Sequence, residues 1–264
     1  MIDIKKAKQT FENYVKDYNP ENPKIMLKIN HIKRVANIAK DLAIKLGLSQ
    51  EDVELAELIG LLHDIGRFEQ VRIYNTFVDI KSVNHGELGV KILFEDGLIR
   101  KFVEDRQYDN IIKLAILNHN KGKIEEGLNE RELLHAKIIR DSDKTDIFNV
   151  LTMEDIEACY ETKDMSKEIA TPEIYREFME EHKINYAYRK SSADILIGHF
   201  SYVYDYNFKY GLDILNKKGY LDKLYNRFEF KDVETYKMIK EVYETAKEYV
   251  VKMVKWKPEP IDRK

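Results

Sequence analysis

The chain is short of the residues that bend, cross-link or anchor a protein. With 5 Pro and 11 Gly in 264 residues, it has too few turn formers for a sheet of many tight hairpins. One cysteine, Cys159, excludes an internal disulfide framework. No stretch approaches the roughly 20 consecutive apolar residues that a membrane-spanning helix needs. The polar start MIDIKKAKQTF lacks the apolar centre of a secretory signal, so the expectation is a cytoplasmic protein with no membrane partner. Neither sign of charge dominates: 44 Lys plus Arg against 47 Asp plus Glu leave a net charge of −3, which argues against a general nucleic-acid-binding surface. What is plentiful is Lys, Glu, Ile and Leu, and a content of 44% hydrophobic and 34% charged residues excludes a disordered chain. The fold class expected is all-α, as one large or two small domains.

Helical periodicity carries that expectation along the chain. Ile25, Ile29, Ile32, Ala36, Ala39, Ala43 and Leu46 recur at spacings of three and four, so a helix spans 24–46, with Pro23 in its first turn and Gly47 past its end. Ser49 and Asp52 resemble a capping box opening a second helix that runs to His63-Asp64-Ile65-Gly66. Residues 67–83 lack helical periodicity and read as loop or short turns. Further helices are expected from about His85 to Asp96-Gly97, over 109–119 and over 130–150. Beyond 150, amphipathic segments cover 173–182, 191–216 and 233–255, with no linker-like stretch between them. The tyrosine-rich piece from Phe200 to Tyr210 is partly alternating and is read as helix in this context.

Polar residues at the ends of these apolar runs are the candidates for chemistry. His31 lies on a stripe with Val35, Ile38 and Leu42, and His119 shares a face with Ile112, Ala115 and Ile116. Each alone is more simply a core histidine with a hydrogen-bond partner. His63-Asp64 differs, because a carboxylate at the end of LIGLLH needs a partner or a metal. In the helix over 130–150, Asp141 and Asp143 both fall within a broad apolar face, and periodicity leaves the choice between them open. Ion pairing of either with Arg140 or Lys144 is the plain alternative. His135, His182 and His199 read as structural or exposed, and the aromatics from Phe200 to Tyr210 as core rather than a base-stacking surface.

The order of these residues resembles the HD-domain superfamily of metal-dependent phosphohydrolases: His31, then His63-Asp64 in LLHDIGRFEQ, then Asp143-Lys144-Thr145-Asp146. LLHDIGRFEQ is similar to the family's HDIG motif, with Arg67 where many members have Lys. The resemblance covers about residues 24–150. It implies a helical core with an N-terminal helical segment over 1–23, and a helical extension over 151–264 packed on that core as one compact unit. It implies that His31, His63, Asp64 and Asp143 hold a divalent cation, and it favours Asp143 over Asp141, which remains the fallback ligand.

His85 in VNHGELG and His119 in AILNHNKG resemble the histidines that some members add, either for a second ion or for contact with phosphate and proton transfer. Arg67 and Lys144 are the implied phosphate contacts, with Arg72 a weaker candidate. The implied activity is hydrolysis of a nucleotide or related phosphate mono- or diester, with Asp64 and the added histidines catalytic. A cyclic-dinucleotide or (p)ppGpp hydrolase is the alternative within the family, and a nucleotide or metal sensor without turnover the alternative outside it. One or two ions per chain are expected, of Mn, Fe, Ni, Zn or Mg, because His and Asp donors accept several. The partner expected is a small phosphate substrate, and nothing in the sequence sets an oligomeric state.

Overall fold

The structure is a computed structural model and describes residues 2–160 and 162–256. Among them there is no strand, and the fold is all-α. Among the described residues no helix is long and apolar enough to cross a membrane. The chain divides into two compact units, one running through Ile147 and the other from Phe148 onward.

The first unit contains α1 (Ile4–Val15), α2 (Pro23–Lys45), α3 (Gln50–Leu62), α4 (Gly66–Tyr74), α5 (His85–Val90), α6 (Ile99–Phe102), α7 (Asp109–His119) and most of α8 (Glu130–Met153). Asn22 caps α2 by accepting from the Lys24 amide, and Pro23 occupies the first helical position as its spacing predicts. Ser49 caps α3 in the same way through the Asp52 amide. The buried faces of α2 (Ile32, Val35, Ala36) and α3 (Leu55, Leu58, Ile59, Leu62) meet in the core. Each such side chain contributes roughly 1.5–3 kcal/mol of transfer free energy. Gly60 is what allows the two helices to approach so closely, since a Cβ there would lie 2.7 Å from Ala36 Cα.

The expectation of loop over 67–83 is corrected for its first half, where α4 forms. Its helix is too short to display a period, but Phe68 and Val71 bury one side of it, and Asn75 ends it in the left-handed conformation at φ 51°. Only the stretch after Asn75 lacks α-helix, with one 3₁₀ turn at Asp79–Lys81.

The second unit is built from α9 (Ile156–Tyr160), α10 (Pro172–Glu181), α11 (Ser192–Ser201), α12 (Lys209–Lys218), α13 (Tyr220–Tyr225) and α14 (Val233–Lys255). Helices α10 to α13 pack on α14, whose Ile239, Val242, Ala246 and Val250 form one buried stripe. A complete capping box of Ser191 and Asp194 starts α11.

The single helix expected over 191–216 is corrected to two. The chain leaves α11 through a 3₁₀ turn at Tyr202–Asp205, and Tyr206 is extended. Alternating aromatics cannot all share one helical face. The turn resolves this by burying Val203 while Tyr204 stacks on His182 with ring centroids 4.2 Å apart.

Candidate metal centre

Helix positions and close helix contacts bring the site together. His31 projects from the middle of α2, His63 caps the C-terminus of α3 and Asp64 follows it, while His119 is the last residue of α7. Gly66 then starts α4 without a side chain, and a Cβ there would lie 2.3 Å from the His85 carbonyl oxygen and 2.6 Å from the Gly89 amide. Only glycine lets α4 abut α5, and this contact sets His85 beside Asp64. The fully buried Arg140 of α8 donates to the carbonyls of Asn118 (2.8 Å) and Lys121 (2.5 Å), tying the chain on either side of His119.

The result is a buried carboxylate with histidines on two sides. Asp64 Oδ2 lies 3.6 Å from both His31 Nε2 and His63 Nε2. Asp64 Oδ1 lies 3.4 Å from His85 Nε2 and 3.6 Å from His119 Nε2. Asp143 Oδ1 stands 3.0 Å from His31 Nε2 and 3.6 Å from His63 Nε2. Two groups of ligand atoms therefore converge, His31, His63 and Asp64 in one and Asp64, His85 and His119 in the other. Neither Asp141 nor Asp143 belongs to these two groups, but it is Asp143 whose Oδ1 the structure brings to His31 and His63.

Each ring is oriented from behind. His63 Nδ1 donates to the Gly60 carbonyl (2.8 Å) and His119 Nδ1 to the Ile116 carbonyl (2.6 Å). His85 Nδ1 donates to Asp79 Oδ2 (2.6 Å) and His31 Nδ1 to Asp146 Oδ2 (2.7 Å), with Arg34 holding Asp146 through Nε and Nη2. Carbonyls and carboxylates only accept, so all four Nδ1 atoms carry protons and a neutral ring presents a bare Nε2 to the centre. His85 Nε2 and His119 Nε2 face each other at 2.9 Å. Two bare nitrogens at that separation repel unless a cation accompanies them.

The residues fit a divalent ion on independent grounds. His31 Nε2, His63 Nε2 and Asp64 Oδ1 are buried without a hydrogen-bond partner, a costly arrangement for a protein left to itself. Ligands each about 2.1 Å from one ion lie about 3.0–3.4 Å apart at right-angle to tetrahedral placement, close to the separations here.

The local electrostatics agree. Burial pushes the Asp64 carboxyl up, but the Lys28 ammonium, with Nζ 2.5 Å from Oδ2, and the neighbouring histidines hold it well below the usual carboxylate range. Asp143 is held well below that range against burial by the neighbouring His31 and His63 rings. Burial keeps His63 below its ordinary value, and burial with the Arg67 charge lowers His85 to about 3. For His31, burial and Lys28 act downward, and the carboxylates of Asp143 and Asp146 outweigh them, leaving it raised.

The expected phosphate contacts are placed differently from one another. Arg67 Nη1 donates inward to the Gln70 side chain, the Phe77 carbonyl and Asp79 Oδ1 at 2.7–2.9 Å. Lys144 is buried on α8, and Arg72 is exposed in an ion pair with Glu69. Sequence reasoning missed Lys28, Asp79 and the role of Asp146. Lys28 and Asp146 each lie three residues from a ligand along a helix, which is a usable signal; Asp79 gives none.

Residues 29–147 match the family model of the HD domain, so this part of the chain is similar to HD domains. Comparisons with curated proteins and with solved structures gave no match. HD domains are typically metal-dependent hydrolases.

Proposed function

We propose that the protein is a metal-dependent phosphohydrolase acting on a nucleotide or a related phosphate mono- or diester. The observation that carries this reading is the Asp64 carboxylate, with one oxygen toward His31 and His63 and the other toward His85 and His119. When bound, divalent ions in such groups supply Lewis acidity toward a phosphoryl oxygen and lower the pKa of water to near neutrality.

The chain's own residues do the rest. His31, His63, Asp64 and Asp143 form the first ligand set, and Asp64 with His85 and His119 the second. With a single ion in the first set, His85 and His119 are left for proton transfer, their bare Nε2 atoms first accepting a proton from the attacking water, which then passes to the leaving oxygen. Lys28, whose side chain keeps 13% of its surface exposed, meets the negative charge of an incoming phosphate, with Lys144 the second cation proposed for that task. The buried histidines keep bulk water from the reacting centre, which strengthens these charges.

The test is a panel of nucleotides and phosphate esters with the manganese-loaded protein and its His63→Ala variant. Phosphate or nucleoside release by the wild type and its loss in the variant are expected. Ligand-induced thermal stabilisation without any product, for every compound, would replace this reading with a sensor.

A further inference from the structure

Asp79 lies on the 3₁₀ turn Asp79–Lys81, outside every motif that marks the centre, yet four side chains converge on it. Its Oδ2 takes the His85 Nδ1 proton at 2.6 Å, with Asn120 Nδ2 at 3.4 Å. Its Oδ1 accepts from Arg67 Nη1 and from Gln70 Nε2, each at 2.9 Å. Gln70 is fully buried and also donates to Ser82 Oγ and the Val83 carbonyl, fixing the turn to α4. The Arg67 guanidinium further donates to the Phe77 carbonyl (2.7 Å) and sits over the Phe77 ring, 5.6 Å from its centroid.

We propose that Asp79 is a positioning residue that fixes the tautomer of His85, holding the proton on Nδ1 so that the bare Nε2 faces Asp64 and His119, with Arg67 and Gln70 orienting the carboxylate. Arg67 on this account serves the centre through Asp79, in addition to its own Nε standing 3.6 Å from Asp64 Oδ1. The significance for ion binding rests on the reading of His85 and His119 as ligands; the tautomer assignment itself does not.

The chemistry makes the assignment unusually sensitive to one substitution. In Asp79→Asn the amide oxygen remains with its two donors, Arg67 and Gln70, which leaves the amide nitrogen facing His85 Nδ1. An N–H in that place can only be accepted, so the ring proton moves to Nε2 and the lone pair turns away from the centre. Asp79→Glu keeps two acceptor oxygens and restores the original tautomer.

The experiment is a long-range proton–nitrogen NMR correlation of the histidine rings in the metal-free, nitrogen-15-labelled protein, with manganese titrations of the same variants followed by paramagnetic resonance. The expected result is an Nδ1–H tautomer for His85 in the wild type and in Asp79→Glu, and an Nε2–H tautomer in Asp79→Asn. The second manganese equivalent is then weakened roughly 10- to 100-fold in Asp79→Asn and the first is unchanged. An Nε2–H tautomer for His85 in the wild type overturns the proposal without any variant, as does an unchanged tautomer in a folded Asp79→Asn. A wild type that binds one equivalent, with a tautomer that still follows residue 79, supports the positioning role and overturns the two-group reading of the centre.

Discussion

Two buried aspartates, one in each unit, show how differently the same side chain is used. Asp194 is 0% exposed and Asp64 is 2% exposed. Asp194 is satisfied by the chain around it: it accepts from the amides of Thr171, Lys190 and Ser191 and from the Thr171 hydroxyl, all at 2.7–3.2 Å. Asp64 has one oxygen on Lys28 and the other without a hydrogen-bond partner, among bare imidazole nitrogens and with Arg67 Nε 3.6 Å away. The contrast extends to the units. Among the described residues, the buried polar side chains of the second unit are Thr171, Asp194 and Thr235, whereas the first buries His31, His63, His85, His119, Asp64 and several more. A buried carboxylate completed by backbone amides holds a fold together; one left incomplete in a ring of histidines has the donors to hold an ion.

The largest expected effect separates these two uses directly. His63→Ala is expected to lose its bound metal and nearly all turnover while the protein stays folded. Asp194→Ala is expected to lose about 2–4 kcal/mol of stability in chemical denaturation, because four donors lose their acceptor, and to keep its metal per folded molecule. Metal loss in Asp194→Ala with unchanged stability would erase the comparison.

Next in size is the choice between neighbours on α8. Asp143→Asn is expected to weaken metal binding strongly and Asp141→Asn to leave most of it, measured by equilibrium dialysis. The reverse ranking would move the ligand to Asp141.

A smaller effect concerns acid. In the metal-free protein the folded pKa of His85, about 3, lies below the roughly 6.5 of an unfolded histidine. Its contribution to stability is therefore complete above pH 6.5 and is lost as pH falls from there toward 3. His63, lowered by burial, acts in the same sense, and His31, raised, in the opposite one. The carboxyls of Asp64 and Asp143 add their loss below about pH 4. The melting temperature of the metal-free protein is expected to fall between pH 7 and 5, and to fall less in His85→Gln; equal slopes would remove His85 from the account.

The smallest effect belongs to Lys28. Without its ammonium on Asp64, Lys28→Ala is expected to bind metal roughly three- to tenfold more tightly, the scale of a partly exposed ion pair, while needing more substrate for half-maximal rate. Weaker metal binding would contradict the competition between this cation and an ion.

Legibility in the sequence follows the range of the interaction. Helix α2 is visible because its core face repeats over 23 residues, and His31, His63-Asp64 and the Asp143 stretch stand at recognisable places on such helices. Helix α4 was not visible because nine residues carry too little period to separate helix from turn. The Phe200 to Tyr210 piece misleads for another reason: its aromatics pack around a turn, so their spacing reports tertiary contacts. Periodicity could not separate Asp141 from Asp143, since Asp141 is buried and Asp143 nearly so, and only the approach of the α2 and α3 histidines distinguishes them. Asp79 stayed hidden because its value lies in where the chain after α4 returns, which no local pattern encodes.

The most direct test of the shared carboxylate is the number of manganese equivalents bound by the wild type and by Asp64→Ala, measured by elemental analysis after equilibrium dialysis. If Asp64 serves both ligand groups, the wild type holds two equivalents and the single substitution removes both together. Two equivalents retained in a folded Asp64→Ala, or the loss of one alone, would contradict it.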